Sequence, residues 1–167
     1  VNICLRDERE VLEDGSYRED DLEYEGGIRS FVEYLNEQKV CEVVHPEVIY
    51  MRAEREDWVA EVALQYNDSY NESLLTFANN INTVEGGTHE IGFKTALTKV
   101  LNDYGRKYNI IRESEKNLSG EDIREGLCAV VSVKLTDAQF EGQTKGKLGN
   151  SEMRTYVYNL VTEKLSE

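Results

Sequence analysis

Apolar and polar residues alternate over the first positions, with Val1, Ile3 and Leu5 set against Asn2, Cys4 and Arg6, the two-residue period of a half-buried strand. After Gly26 and Gly27 the period changes. Ile28, Phe31, Val32 and Leu35 fall at helical spacing, with Arg29, Glu33, Asn36 and Glu37 on the other face, so an amphipathic helix is predicted there. His45-Pro46 marks a turn, because proline lacks a donor and pushes its predecessor toward extended geometry. Residues 48–79 then read as a three-stranded meander: a first strand from Val48, a second from Trp58 to Tyr66 with strict alternation, and a third at Leu74, Leu75, Thr76 and Phe77. Antiparallel pairing with one covered face is the simplest inference.

The longest helical pattern follows a polar approach over residues 79–93, with Thr88 placed to cap its first turn. Phe93, Ala96, Leu97, Val100, Leu101, Tyr104 and Tyr108 form one stripe, opposed by Lys94, Thr98, Asp103, Arg106 and Lys107, and that stripe is expected to lie across the sheet. Residues 117–126 read as a loop with one capped turn and residues 127–134 as a strand covered on both faces. A closing helix is predicted from Asn150 and Ser151, with Met153, Val157, Leu160, Val161 and Leu165 on its apolar face. With no repeat and no low-complexity linker, the pattern predicts a single α+β domain over residues 1–167, a mostly antiparallel sheet packed against helices.

Charge narrows the functions available. The 33 Asp and Glu against 19 Lys and Arg give a formal −14, so binding nucleic acid over the general surface works against phosphate repulsion. Contact with DNA must be local or indirect. Much of the acidity lies in residues 7–25, which read as a solvated hairpin or excursion. Cys4, Cys41 and Cys128 are odd in number and form no Cys-x-x-Cys pair, as expected of reduced, mostly buried thiols. No signal peptide, membrane-length apolar run or lipidation signal is seen, so a soluble intracellular chain without membrane contact is expected, and its sequons at Asn67, Asn71 and Asn117 are chance matches. The chain opens on a strand pattern without an initiator Met, which suggests a piece of a longer protein.

One stretch carries candidate chemistry. Residues 140–150 are polar and glycine-spaced: Gly142, Gly146 and Gly149 allow close backbone approach to a ligand, Lys145 and Lys147 bring ammonium groups, and Gln143 and Thr144 add neutral donors. This is a phosphate-sensing composition, although local composition alone also suits a solvated turn. His89-Glu90 begins like a zinc-protease helix, but position 93 is Phe and the only other histidine is His45, so no metal site is expected. A hydrolase built on Cys128 and His89 is permitted by residue type alone, with Cys128 inside a buried-strand pattern. Pairs such as Glu121-Asp122 and Asp20-Asp21 carry no specific signal in so acidic a chain. No Walker loop or dinucleotide fingerprint is present, and Gly26-Gly27 and Gly86-Gly87 read as turns before helices.

Several separated motifs in order carry a resemblance: Glu85-Gly86-Gly87-Thr88-His89 with Gly92-Phe93, Leu97-Thr98, Asn102-Asp103-Tyr104, residues 120–127, Ser132-Val133-Lys134, and Gln139-Phe140-Glu141-Gly142-Gln143-Thr144-Lys145 with Lys147-Leu148-Gly149-Asn150-Ser151-Glu152. Together they resemble the transducer domain of the ATPase subunit of bacterial type IIA DNA topoisomerases, of the DNA gyrase B kind, weakest before about residue 45. The corresponding ATPase subunit of topoisomerase IV is the nearer alternative, and an RNA-binding module of the ribosomal protein S5 kind the more distant one, against which net charge speaks.

The resemblance implies a ribosomal protein S5 domain 2-like fold placed after an ATP-binding domain. It implies that Gln143 and Lys145, with Thr144 beside them, reach into that neighbouring pocket and contact the γ-phosphate, the catalytic glutamate and the magnesium ligand lying upstream. ATP and Mg2+ are then the cofactors, bound mainly by the absent domain, and this chain alone is expected to be inactive. Implied partners are the upstream domain, a second copy of the same chain, the DNA gyrase A protein and the double-stranded DNA passing the gate, in the bacterial cytoplasm at the nucleoid. Lys94, Lys99 and Arg106 are candidates for lining the DNA cavity.

Overall fold

The computed structural model describes residues 3–11, 17–22, 26–39 and 41–166, with side chains from residue 26 onward. β1 (Ile3–Val11) and β2 (Tyr17–Leu22) pair antiparallel within the stretch read as an acidic excursion, with Arg6 falling opposite Glu19 and Asp7 opposite Arg18 in the register. Val1, Asn2 and the acidic positions at 13–14, 23 and 25 lie outside the described residues.

α1 (Gly27–Glu37) forms where the helical spacing predicts it. β3 (Ile49–Glu54), β4 (Trp58–Tyr66), β5 (Ser73–Ala78), β6 (Ile81–Asn82) and β7 (Leu127–Leu135) make one sheet in the order β3-β4-β7-β5-β6. The predicted meander is therefore wrong at its third strand. β4 and β5 do not pair; β7 lies between them, antiparallel to β4 from Trp58 opposite Leu135 to Tyr66 opposite Leu127, and parallel to β5 from Ser73 opposite Cys128 to Ala78 opposite Val133. The reason is composition. β7 is apolar on both faces from Leu127 to Val133, so it belongs in the centre of a sheet covered on both sides, and it displaces the sequence neighbour. The remaining pairs, β3 with β4 and β5 with β6, are antiparallel, so the sheet is mostly antiparallel as the pattern implied.

The sheet is covered on both faces, as the reading of residues 127–134 implied and against the single covered face expected of the meander. On one, Ala60, Val62, Leu64, Ala129, Val131 and Val133 meet α2 (Thr88–Lys107) and α4 (Ser151–Leu165) through Phe93, Leu97, Met153 and Val157. On the other, Val48, Ala63, Cys128 and Val130 meet Val32 of α1 with Ile28, Phe31 and Leu35 beside it. A buried amide chain fastens α1 down: Asn36 Nδ2 donates to Gln65 Oε1 at 2.7 Å, and Asn67 Nδ2 donates to Asn36 Oδ1 at 2.9 Å. Such groups are stable in the interior only because each finds a partner.

α2 keeps the predicted stripe as far as Val100. Tyr104 and Tyr108 leave it, at 54% and 56% exposure, and pack against one another with centroids 4.5 Å apart. That end of the helix is closed instead by Ile111 against Gly105, and by Asn102, whose amide bonds both the N–H and the carbonyl of Leu118. α3 (Gly120–Arg124) is the predicted capped turn, with Ser119 and Asp122 forming a reciprocal capping box. Thr88 is not a cap; Gly87 holds that position and Thr88 is used elsewhere.

The packing of α2 can be tested at two positions. α2 crosses α4 at Gly92, where an added Cβ would lie 2.4 Å from the carbonyl oxygen of Arg154. Gly92→Ala is expected to cost roughly 1–3 kcal/mol by forcing the helices apart, read as a lower urea midpoint; an unchanged midpoint would show that the crossing yields freely. His89 is fully buried, with Nε2 3.2 Å from Thr83 Oγ1, and desolvation lowers its pKa from 6.5 to about 4. The unfolded chain takes up that proton at the ordinary value and the folded chain only at the lower one. Stability from this group is thus complete above pH 6.5 and falls by up to about 3 kcal/mol as pH drops toward 4. His89→Gln should flatten that part of the stability profile, and an equal slope in both proteins would show that other groups set it.

Candidate functional site

The glycine-spaced loop is a short hairpin. β8 (Phe140–Glu141) and β9 (Lys147–Leu148) pair antiparallel, Phe140 opposite Leu148 and Glu141 opposite Lys147, leaving residues 142–146 as the tip. Gly142 takes φ +81°, a conformation that glycine adopts without strain, and Lys145 takes φ +54°, unusual for a residue with a side chain.

The base of this hairpin is built into the core. Asn150 is buried, and its Oδ1 accepts from the Gln139 N–H at 2.7 Å while Nδ2 donates to the Asp137 carbonyl at 3.1 Å and to Glu152 Oε1 at 2.9 Å. Thr88 Oγ1 donates to the Asn150 carbonyl at 2.6 Å, which ties the start of α2 to the start of α4. Leu148 is fully buried, and its N–H donates to the Gly86 carbonyl while the Glu85 N–H donates to the Gly146 carbonyl at 2.9 Å. Backbone meets backbone here. A Cβ on Gly87 would sit 2.6 Å from the Leu148 oxygen and 2.7 Å from its nitrogen, so Gly86-Gly87 is the seat of the hairpin as well as a turn before a helix. Sequence reasoning missed Gly87, Asn150 and Thr88 in this role; their signal was a glycine pair and an asparagine beside helix starts, which also has simpler meanings.

The tip is the opposite. Gln143, Thr144 and Lys145 are exposed, and none of their side chains has a hydrogen-bond partner among the described residues. The two loop lysines differ in kind. Lys147 Nζ lies 2.8 Å from Glu141 Oε2, and that bond, the Glu141 charge and then Glu85 hold its pKa above the ordinary lysine value. Its charge is answered within the hairpin. Lys145 has no carboxylate partner among the described residues; its ammonium lies 6.0 Å from the centre of the Phe140 ring, at the edge of cation–π range. An amide, a hydroxyl and an unpaired ammonium on a rigid base are donors for an anion presented from outside the chain. The neighbouring carboxylates are turned to other groups, Glu141 to Lys147 and Glu85 toward Gly146, so what the tip itself offers is donors for binding.

The other candidates separate from this site. His89 belongs to the α2 face of the sheet and Cys128 to the α1 face, so the sheet stands between them and no Cys–His pair exists. Among the described residues no group of His, Cys, Asp and Glu could hold a metal ion. Lys94 pairs with Glu90 at 2.7 Å and Glu72 at 3.6 Å, Lys99 pairs with Asp103, and Arg106 donates to Asn117 Oδ1 and to the Glu115 carbonyl. Each is occupied locally. No helix among the described residues is long and apolar enough to cross a membrane.

Comparison with known proteins bears on the family and the fold. The DNA gyrase B family profile matches residues 27–167. The DNA gyrase B protein of Clostridium acetobutylicum is 56% identical over 167 residues, covering 99% of this chain and 25% of that protein. Its Enterococcus faecalis counterpart is 53% identical over 163 residues, covering 98% and 24%. The chain thus spans about a quarter of the length of these relatives. Among solved structures, the 43K ATPase domain of Thermus thermophilus gyrase B, in complex with an aminocoumarin, matches with a TM-score of 0.79 and 37% identity over 90% of this chain and 40% of that one. The B-subunit of DNA gyrase from Myxococcus xanthus matches with a TM-score of 0.71 and 25% identity over 90% and 48%. A family profile over most of the chain and relatives more than half identical to it show the family: the chain belongs to the DNA gyrase B family.

Proposed function

We propose that residues 1–167 form a single transducer domain of an ATP-dependent type IIA DNA topoisomerase, and that Gln143, Thr144 and Lys145 report the presence of the ATP γ-phosphate to the rest of the protein. The observation that carries this reading is the contrast between Lys147, paired with Glu141, and Lys145, exposed with no carboxylate partner among the described residues. An unpaired ammonium on an acidic chain is suited to an anion supplied by another domain. The Thermus relative is described as an ATPase domain and this chain accounts for 40% of it, which leaves room for a separate nucleotide-binding part.

Lys145 donates as a point charge and Gln143 through its amide; each charge-assisted bond contributes roughly 1.5–3 kcal/mol, present with a triphosphate and absent with a diphosphate. Only such a difference shifts a conformational equilibrium. Because the hairpin base is bonded to Glu85, Gly86 and Thr88 on one side and continues into α4 on the other, a displacement of the tip reaches both helices of the α2–α4 layer. In this reading that layer rotates against the upstream ATP-binding domain, and a second copy of the same chain, the DNA gyrase A protein and double-stranded DNA complete the machine in the bacterial cytoplasm. Net charge −14, together with the local pairing of Lys94, Lys99 and Arg106, favours DNA passing this domain over DNA held by it. Mg2+ and the hydrolytic base belong to the upstream domain, so the chain by itself is expected not to hydrolyse ATP.

With the natural upstream domain rejoined, Lys145→Ala should lower ATP turnover at least about tenfold, near 1.4 kcal/mol of lost transition-state contact, while Lys147→Ala stays close to wild type. Equal, near-normal rates in both variants would make the hairpin a structural turn and move the coupling to the domain interface.

A further inference from the structure

The turn between β6 and α2 is the part of the chain on which the hairpin sits, and a buried chain of polar side chains closes it. The Gly86 N–H donates to the Thr83 carbonyl at 2.8 Å, which folds residues 83–86 into a tight turn. That turn presents the Glu85 N–H to the Gly146 carbonyl and the Gly86 carbonyl to the Leu148 N–H. Thr83 anchors it to the sheet. The Thr83 N–H donates to the Thr76 carbonyl at 2.8 Å and its Oγ1 donates to the same carbonyl at 2.9 Å, while Thr76 Oγ1 donates to the Thr83 carbonyl at 3.1 Å. On the far side of the turn, at the start of α2, His89 Nε2 lies 3.2 Å from Thr83 Oγ1. Thr76, Thr83 and His89 are all buried.

The proton on the imidazole can be placed. Burial keeps the ring neutral, and Nδ1 has no partner among the described residues. A buried N–H without an acceptor costs more than a bare lone pair, so the proton belongs on Nε2. Thr83 Oγ1, its own proton given to the Thr76 carbonyl, accepts it. The bond therefore spans the seat of the hairpin. One end is on the turn that carries Gly146 and Leu148, and the other is on α2, where the adjacent Thr88 holds the Asn150 carbonyl at the hairpin's other foot. We propose that His89, through its bond to Thr83, is a positioning residue for the hairpin, setting the turn so that the tip with Lys145 stands where it meets the γ-phosphate, a role that rests on the sensing function proposed above for that tip. Without the bond the turn keeps its link to Thr76 and loses its side-chain tie to α2, so the tip is aimed less well although the sheet is intact.

The test uses the full-length subunit, with the upstream domain present. Thr83→Val, which keeps the shape and removes the hydroxyl, should lower ATP turnover about three- to tenfold and leave ADP affinity unchanged, because only the contact to the γ-phosphate is displaced. Thr83→Ser, which keeps the hydroxyl, should restore wild-type turnover. His89→Leu should reproduce the defect, and His89→Leu with Thr83→Val should cost no more than Thr83→Val alone, since the bond between them is already lost. On a Lys145→Ala background neither substitution should slow turnover further. Hydrogen exchange should quicken in Thr83→Val over residues 84–87 and 139–149, while peptides from β4 keep their protection. Wild-type turnover in Thr83→Val beside a slow Lys145→Ala, a further loss on the Lys145→Ala background, or exchange that rises evenly through the sheet would each overturn the positioning role. Wild-type turnover in Lys145→Ala would instead remove the sensing function itself, and the positioning role with it.

Discussion

Burial of β7 on both faces is the constraint from which the architecture follows. Residues 127–133 present apolar side chains to each side of the sheet in turn, with Ser132 the one hydroxyl, so a helix layer must cover each side. α2 and α4 cover one and α1 the other. The strand also fixes the sheet order, since its long antiparallel match with β4 and its parallel match with β5 leave no place for a β4–β5 pair. Its C-terminal end then delivers the chain to the candidate hairpin, which is why a loop so polar at its tip rests on so rigid a base.

That base and tip divide the work of the site. Gly87, Leu148, Asn150 and Thr88 hold backbone to backbone in a space that no side chain on residue 87 could share. Gln143, Thr144 and Lys145 are left with their donors turned to solvent. The sensing role proposed for the loop calls for both parts: a tip without internal partners can respond to a ligand, and a base without freedom can transmit the response.

Electrostatics sorts the cations in the same way. Lys94, Lys99 and Lys147 each pair with a carboxylate. Lys145 at the hairpin tip, like the exposed Lys107, Lys116 and Lys134, has no carboxylate partner among the described residues. What stands beside Lys145 is the Phe140 ring and open solvent.

Periodicity alone determined the helices at 27–37, 88–107 and 151–165, the capped turn after Ser119, the doubly covered strand and the α+β class, because a helical stripe or a strand alternation records which face of a single element is buried. Motif order also pointed to the family and to the residues of the loop. What the pattern could not hold were relations between distant elements. The insertion of β7 between β4 and β5, the departure of Tyr104 and Tyr108 from the core, and the bond from Thr88 to Asn150 depend on which surfaces meet. The difference between Lys145 and Lys147 is of the same kind: the two residues read alike in the chain, and only the pairing of β8 with β9 sets Glu141 beside one of them and leaves the other unpaired, because a cross-strand partner is a property of register and not of sequence distance.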